Sequence, residues 1–428
     1  MRILLLSHYY APEFGAPQRR WSALVERFLA AGHEVTVATP VPHYPGGWPT
    51  GQQRRDHRVG AVERGAQGET VLRTAYLPHR ADIGTRTADH AVAAADALRR
   101  LLPRFGRREH RPEVIVATAP AIPTLLVGRI LSVAWGVPLV VEMRDAWPDL
   151  VTHVGPVGAL PAEVAHAPRR SAARRGVDWG VALAKERVHR AVTGWQRSAR
   201  AVVTTTELFA DVLHERGIVD VQVVRNGTDL SVVPRQRDHA PDDHAELRCL
   251  YLGNMGRSQG LDTVVHAAAR LRAEGVPVQV KLVGHGVEAP VLAALAHELG
   301  APVEVLPRVP HAEVDALYAW ADSVIVSLRD WAPFAWTVPS KLYEVLATGR
   351  HITALLAGEA AGVVRAAGAG DVVPPQDEEA LVALWREIAT DRTRTAVRDG
   401  GRRWIAENAD DDVLAARYLD ILEGVVRR

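Results

Sequence analysis

Residues 1–39 read MRILLLSHYYAPEFGAPQRRWSALVERFLAAGHEVTVAT, and the succession of patterns in them decides the fold. Ile3 to Leu6 is a short, unbroken apolar run, the pattern of a strand covered on both faces, as in parallel sheets. A loop containing Gly and Pro follows, from Ala11 to Pro17. Apolar residues then recur at Trp21, Leu24, Val25, Phe28 and Leu29, the spacing of a helix with one buried face. Gly32 and His33 end that helix, and Glu34 to Thr39 (EVTVAT) is a second strand. Strand, helix and strand in so short a span form a βαβ unit, whose strands are parallel.

The same unit recurs outward from this start. VIVAT (Val114 to Thr118) and PLVVEM (Pro138 to Met143) flank a helix centred on Leu125 to Leu131, and AVVTTT (Ala201 to Thr206) and VQVVRNG (Val221 to Gly227) flank another. After a polar, proline-bearing stretch, Pro234 to Glu246, strands LRCLYLG, VQVKLVG, VEVLP and SVIVSL alternate with helices beginning near Leu261, Pro290, His311 and Ser340. Two such runs predict an α/β protein of two Rossmann-like domains, residues 1–226 and 227–407. A last helix from about Asp410 to Val426 returns to the first domain, which therefore includes 408–428.

Composition excludes several classes. The 428 residues carry Lys+Arg 51 against Asp+Glu 50, too balanced for sequence-independent nucleic-acid binding. A single cysteine, Cys249, excludes a disulfide framework and a thiolate-rich metal site. No apolar run reaches the ~18 residues of a membrane span, and MRILLL lacks the form of a secretory signal, so a soluble, cytoplasmic protein is expected. Of the cations only Lys185, Lys281 and Lys341 are lysine, which makes each retained lysine slightly informative. The arginine-bearing run Pro168 to Gly176 reads as a solvated basic face, with contact to an anionic membrane as the alternative.

Ligands of open α/β sheets bind beyond the carboxyl ends of the strands, so the loops there hold the candidates. The first, HYYAPEFGAPQRR, has Gly15 for close backbone approach and then a helix N-terminus for an anion. The second, EMRDAWPDL, gathers Arg144, Asp145, Trp147 and Asp149, groups suited to acid–base or hydroxyl-binding work or to a plain salt bridge. The third, LVGHGVEA, nominally fits a dinucleotide fingerprint through Gly284, Gly286 and Ala289, with Glu304 near the place of a ribose-binding acid. It is the ground for a rival reading as an NAD(P)-dependent oxidoreductase. In the fourth, SLRDWAPFAWTVPSKLYEVLATG, Pro339 and Ser340 open a helix with Lys341 in its first turn and Glu344 on the same face. Such a start meets phosphate, and a carboxylate one turn later grips vicinal hydroxyls; an exposed ion pair is the simpler alternative.

Taken in order, YYAPEFGAPQRR, GHEVTVAT with PHYPGG, RDAWPDL, NGTDL, YLGNMGRSQGLDTV and PSKLYEVLATG resemble the GT-B glycosyltransferases of family 4 type, close to the bacterial WbuB-like subgroup. The resemblance implies two domains facing across a cleft and sugar transfer from a nucleoside diphosphate donor of UDP or GDP type, with retention and without a metal or other cofactor. It implies a donor site built from Gly15, the loop residues Gly253, Asn254, Gly256, Arg257 and Gln259, and the strand-end pair Arg308 and Val309. Pro333, Phe334, Ser340, Lys341, Leu342 and Glu344 complete that site, with Glu344 on the ribose and Lys341 on the diphosphate. Trp336 stands where the family has the first glutamate of its E-x7-E pattern. His43, Arg144 and Trp147 fall on the acceptor side, with Asp145 beside the reacting carbon. The acceptor is then a natural-product or glycan intermediate, small and polar or lipid-linked; a homodimer and at most peripheral membrane contact are allowed. Within the same fold, a nucleotide-sugar epimerase, a hydrolase or a non-catalytic nucleotide-sugar binder are the alternatives.

Overall fold

The computed structural model describes residues 1–80, 82–144, 172–237, 239 and 243–428. The chain forms two compact units, Met1–Arg225 with Leu414–Arg428, and Asn226–Val413.

The first unit is built on an eight-stranded sheet of β1 (Arg2–Leu6), β2 (Glu34–Pro40), β3 (Val62–Arg64), β4 (Thr70–Thr74), β5 (Val114–Thr118), β6 (Leu139–Met143), β7 (Ala201–Thr204) and β8 (Val221–Val223). Its order is β3-β4-β2-β1-β5-β6-β7-β8, parallel throughout except for the antiparallel pair β3–β4. The helices are α1 (Ala16–Ala30), α2 (Gly51–Asp56), α3 (Ile83–Arg104), α4 (Ile122–Trp135), α5 (Ala172–Ser198) and α6 (Glu207–Glu215). The strand order reverses between β1 and β5, the switch point at which such sheets open to ligands.

The second unit has a six-stranded parallel sheet of β9 (Leu247–Asn254), β10 (Val278–His285), β11 (Val303–Pro307), β12 (Ser323–Ser327), β13 (His351–Leu355) and β14 (Gly370–Val373), in the order β11-β10-β9-β12-β13-β14. That is the doubly wound order of a Rossmann fold. Around it lie α7 (Asp262–Ala273), α8 (Ala289–Glu298), α9 (His311–Trp320), α10 (Ser340–Thr348), α11 (Gly358–Ala367), α12 (Glu378–Thr390) and α13 (Gly400–Asn408). One apolar core holds Val264, Leu271, Leu292, Leu381 and Trp385 from α7, α8 and α12; the other holds Tyr318, Leu342, Tyr343, Val364 and Ile405 from α9, α10, α11 and α13. Both sheet faces are therefore covered, which is why these strands read as apolar runs rather than alternations.

The final helix, α14 (Asp411–Arg427), packs from Leu414 onward into the first unit. Leu414, Ala415, Tyr418, Leu422 and Val425 join Trp21, Leu24 and Phe28 of α1 in one core. The Tyr418 and Trp21 rings meet edge to face at 5.7 Å. Burying aromatic side chains of this size is worth about 1.5–3 kcal/mol each. Beneath them Arg20 of α1 makes a fully buried ion pair with Glu142 of β6, Nε to Oε1 2.9 Å, and donates to the Val224 carbonyl after β8 at 2.9 Å.

Candidate functional site

At the switch point of the second unit, β9 and β12 pair only at Cys249 with Ser323 and Leu250 with Val324. Beyond Leu250 they separate, and the loop Met255–Gly260 enters the gap. The Ser327 hydroxyl donates to the Gln259 carbonyl at 2.6 Å, and the Arg329 amide to the Ser258 carbonyl at 2.9 Å, tying that loop to the end of β12. Within the loop the Gly256 amide donates to Gln259 Oε1 at 3.0 Å, while Arg257 lies 3.6 Å from Glu288.

Gly284 and Gly286, the ground for a dinucleotide fingerprint, have a different task. Both have positive φ, and a Cβ at Gly284 would sit 1.8 Å from the Gly253 carbonyl oxygen, one at Gly286 2.2 Å from that of Met255. The Met255 amide donates to the His285 carbonyl at 2.6 Å and accepts in return, through its own carbonyl, the Glu288 amide at 3.0 Å. These glycines let two strand ends lock together. Glu304 is exposed on β11, with Lys281 as its register partner on β10. Lys281 itself stands 4.1 Å over the Trp320 ring. The oxidoreductase reading loses its support.

The locked ends form one wall of a cavity of about 260 Å³, lined by Gly253, Asn254, His285, Arg308, Val309, His311, Lys341 and Glu344 among others. The structure thus brings together six of the residues expected at the donor, from β9, the loop after β11, and α10. The start of α10 has Pro339 as N-cap and no side-chain cap, so its positive end is turned to whatever fills the space before it. Lys341 Nζ lies 2.8 Å from Glu344 Oε1 and 5.7 Å from the Tyr318 ring centre. The ion pair that was the simpler alternative does exist, but both side chains are only about one-third exposed (33% and 29%) and both face the cavity.

Tyr318 is a residue that the sequence did not single out. Its hydroxyl donates to the same Glu344 oxygen at 2.9 Å, and the side chain is buried. Burial and the Glu344 charge push the phenol well above its ordinary pKa, which keeps it a donor. The signal was present only as an aromatic in the apolar stripe of α9, where it looks like ordinary core. His285 and His311 were also missed; His285 ends β10 and His311 opens α9, near the place where the search was made, but neither belongs to a recognisable spacing.

Other expected donor residues lie outside the cavity lining. Leu342 is fully buried in the core and its amide donates to the Pro339 carbonyl. Pro333 and Phe334 sit in the short 3-10 turn Ala332–Trp336, where Phe334 packs on the core and meets Trp331 edge to face. Ser340, Gly256, Arg257 and Gln259 are likewise not among the residues that line it.

In the first unit, Gly15 caps α1 with extended backbone. His43 is buried, its Nδ1 bonded to the Val41 carbonyl at 2.7 Å and its Nε2 to Asp89 at 3.0 Å. Arg144 is buried at the end of β6, and its carbonyl accepts from Thr205 at 2.9 Å. Asp145, Trp147, Asp149 and the run Pro168 to Ser171 lie outside the described residues.

A cation, an uncapped helix start and a hydroxyl-binding carboxylate around one cavity suit a phosphorylated sugar derivative. Residues 15–227 match the family described as glycosyl transferase 4-like domain, and residues 246–391 the family of glycosyl transferases group 1. The chain is 27% identical over 434 residues to WcaI of Escherichia coli (strain K12), whose name assigns it to colanic acid biosynthesis as a glycosyl transferase; the match covers 99% of this chain and 100% of that one. Among solved structures it is similar to sucrose-phosphate synthase from Thermosynechococcus elongatus, with TM-score 0.70, 16% identity and 99% and 98% of the two chains covered. It is also similar to HepE of Anabaena, solved in complex with UDP and glucose, with TM-score 0.64, 16% identity and 98% and 99% covered. At such identities the likeness of structure speaks for the fold, and the two domain families, which between them account for most of the chain, place it among the glycosyltransferases of GT-B type.

Proposed function

We propose that this enzyme transfers a sugar from a nucleoside diphosphate donor to a glycan or natural-product intermediate, with retention of anomeric configuration and without a divalent metal. The observation that carries the reading is the grouping of Lys341, Glu344 and Tyr318 at the start of α10, on the cavity shared with Gly253, Asn254 and Arg308. Lys341 and the first amides of α10 take the diphosphate, whose growing negative charge on departure they stabilise electrostatically. Glu344, held by the Tyr318 hydroxyl, accepts hydrogen bonds from vicinal ribose hydroxyls. The HepE structures in complex with UDP and with UDP-glucose support a donor of UDP type over one of GDP type.

In the proposed step the bond from the anomeric carbon to the leaving phosphate oxygen breaks and the acceptor oxygen bonds to that carbon on the same face. The acceptor proton passes to the departing phosphate. Asp145 is assigned to orient the acceptor hydroxyl or support positive charge at the anomeric carbon, with His43, Arg144 and Trp147 on the acceptor's side and Gly15 on the donor's. The name of WcaI, which places that protein in polysaccharide assembly, supports a saccharide acceptor. The reading puts the enzyme in the cytoplasm. Among the described residues no helix is long and apolar enough to cross a membrane.

A thermal-shift panel of UDP, GDP, TDP and NAD tests the donor class. A rise in melting temperature with UDP is expected, and none with NAD; a rise with NAD alone overturns the reading. Proton NMR of the product, read at the anomeric position, tests retention.

A further inference from the structure

Three histidines and an aspartate converge at the carboxyl end of the first unit's sheet. His8 follows β1, His43 follows β2, His79 follows β4, and Asp89 projects from α3. All four are buried, with Asp89 fully so. His8 Nε2 and His43 Nε2 each lie 3.0 Å from Asp89 Oδ2, and His79 Nε2 lies 4.0 Å from the same oxygen. The three closest donor atoms, from His8, His43 and Asp89, are all within 4.8 Å of one another.

Two features aim this cluster at a cation. His43 Nδ1 lies 2.7 Å from the Val41 carbonyl and His79 Nδ1 2.8 Å from the Arg80 carbonyl. A carbonyl only accepts, so in both rings Nδ1 carries a proton, and Nε2 is the atom turned toward Asp89. A backbone carbonyl that holds Nδ1 and so aims Nε2 from behind is how proteins orient imidazole toward a metal. The second feature is His8 Nε2, which is buried and near Asp89 Oδ2 yet makes no hydrogen bond. Bonds of about 2.0–2.1 Å to a tetrahedral ion put its donors about 3.3 Å apart, close to the two 3.0 Å separations seen.

We propose that His8, His43, Asp89 and His79 bind one divalent transition-metal ion of the zinc class. Nitrogen-rich ligation with one carboxylate favours zinc or a neighbour over magnesium or calcium, which prefer oxygen. The second cluster of this kind among the described residues, His239, His244 and Asp322, supplies a contrast. There a cation is already present, since the Arg392 guanidinium lies 2.7 Å from Asp322 Oδ2 and also meets His244 Nε2. The ion-pair partners of Asp89 among the described residues are histidines. With His79, now 4.0 Å from Asp89, drawn in as the fourth donor, the site is closed and structural. It clasps three strand-end loops to α3 and takes no part in the charge neutralisation assigned to Lys341. The Asp89 Oδ1 atom, which accepts from the Leu77 amide at 2.7 Å, fixes the carboxylate's orientation from behind.

The test uses the full chain, purified without a histidine tag and without chelator, equilibrated with zinc and passed through gel filtration before elemental analysis. About one zinc per chain is expected, together with the visible bands of four-coordinate Co2+ when cobalt is supplied instead. Asp89→Asn and His43→Gln should bind zinc at least tenfold more weakly, while His244→Gln, in the other cluster, keeps its zinc. Wild-type protein that retains no stoichiometric zinc and shows no tetrahedral cobalt bands overturns the proposal, whatever the variants do. So does zinc retained with undiminished affinity by folded Asp89→Asn. The readout is metal content, so failure here leaves the donor reading standing, and failure of the UDP panel leaves this one standing.

Discussion

Lys341, Glu344 and Tyr318 show how one side chain sets the value of another. The lysine and the tyrosine meet the same carboxylate oxygen, so Glu344 is held in place before any ligand arrives. Lys341→Ala should weaken nucleoside diphosphate binding by about 1.5–3 kcal/mol, the range for a hydrogen bond to a charged group. Glu344→Ala should weaken it as well, and calorimetry with UDP that finds unchanged affinity in both variants sinks the site. Tyr318→Phe keeps the ring and loses the hydroxyl, so a smaller loss is expected, about 0.5–1.5 kcal/mol, with the melting temperature nearly unchanged. Lys341 and Glu344 were legible in the sequence because a helix start, a rare lysine and a carboxylate one turn on are all local. Tyr318 was not legible, because its meaning comes from a helix packed beside α10 and its spacing is that of core. His8 and Asp89 were hidden for the same reason: about eighty residues separate two groups whose atoms are 3.0 Å apart.

Elements followed the same division. Strands that are mostly apolar, such as β1, β5, β9 and β10, are evident from sequence, and Val114–Thr118 is placed to the residue. Four strands went unmarked. β3 and β4, VER and TVLRT, are short and interrupted by charge, and their place is settled by pairing with each other and with β2. β13 contains His351 and Thr353, whose polar groups are satisfied only across the sheet and by Trp385, with the Ser323 hydroxyl 2.7 Å from that of Thr353. β14, GDVV, is four residues long. The Arg20–Glu142 pair stitches α1 to β6, and removing one partner strands the other charge in the core. Arg20→Ala should cost about 3–5 kcal/mol of stability, measured by denaturant unfolding. Gly284→Ala forces a Cβ onto the Gly253 carbonyl, so it should disturb the β9–β10 edge and UDP binding together.

For the whole molecule the chemistry proposed at α10 needs no Mg2+ or Mn2+. Turnover should persist after brief EDTA treatment and should neither rise nor return on adding either ion; activity lost to EDTA and restored by Mg2+ or Mn2+ contradicts the electrostatic role of Lys341. A near-neutral chain with arginine spread along its length should also stay off membranes. Each arginine near an anionic leaflet contributes about 1 kcal/mol, so Arg169, Arg170, Arg174 and Arg175 together allow only salt-sensitive attachment. Liposome flotation at physiological salt should leave the enzyme unbound. Strong flotation abolished by replacing those four residues would instead favour a lipid-linked acceptor.

The return of α14 to the first unit carries a consequence for biogenesis. The slot beside Trp21 and Phe28 is closed by Tyr418 and Leu422, which leave the ribosome only after the whole second unit. At ~5–20 residues per second, residues 226–413 take roughly ten to forty seconds to make, during which the nascent first unit displays an open apolar groove. A ribosome stalled before residue 411 therefore holds a half-closed domain exposed to chaperones, and emergence of α14 is the event that seals it. Deleting α14 should therefore strike the first unit before the second.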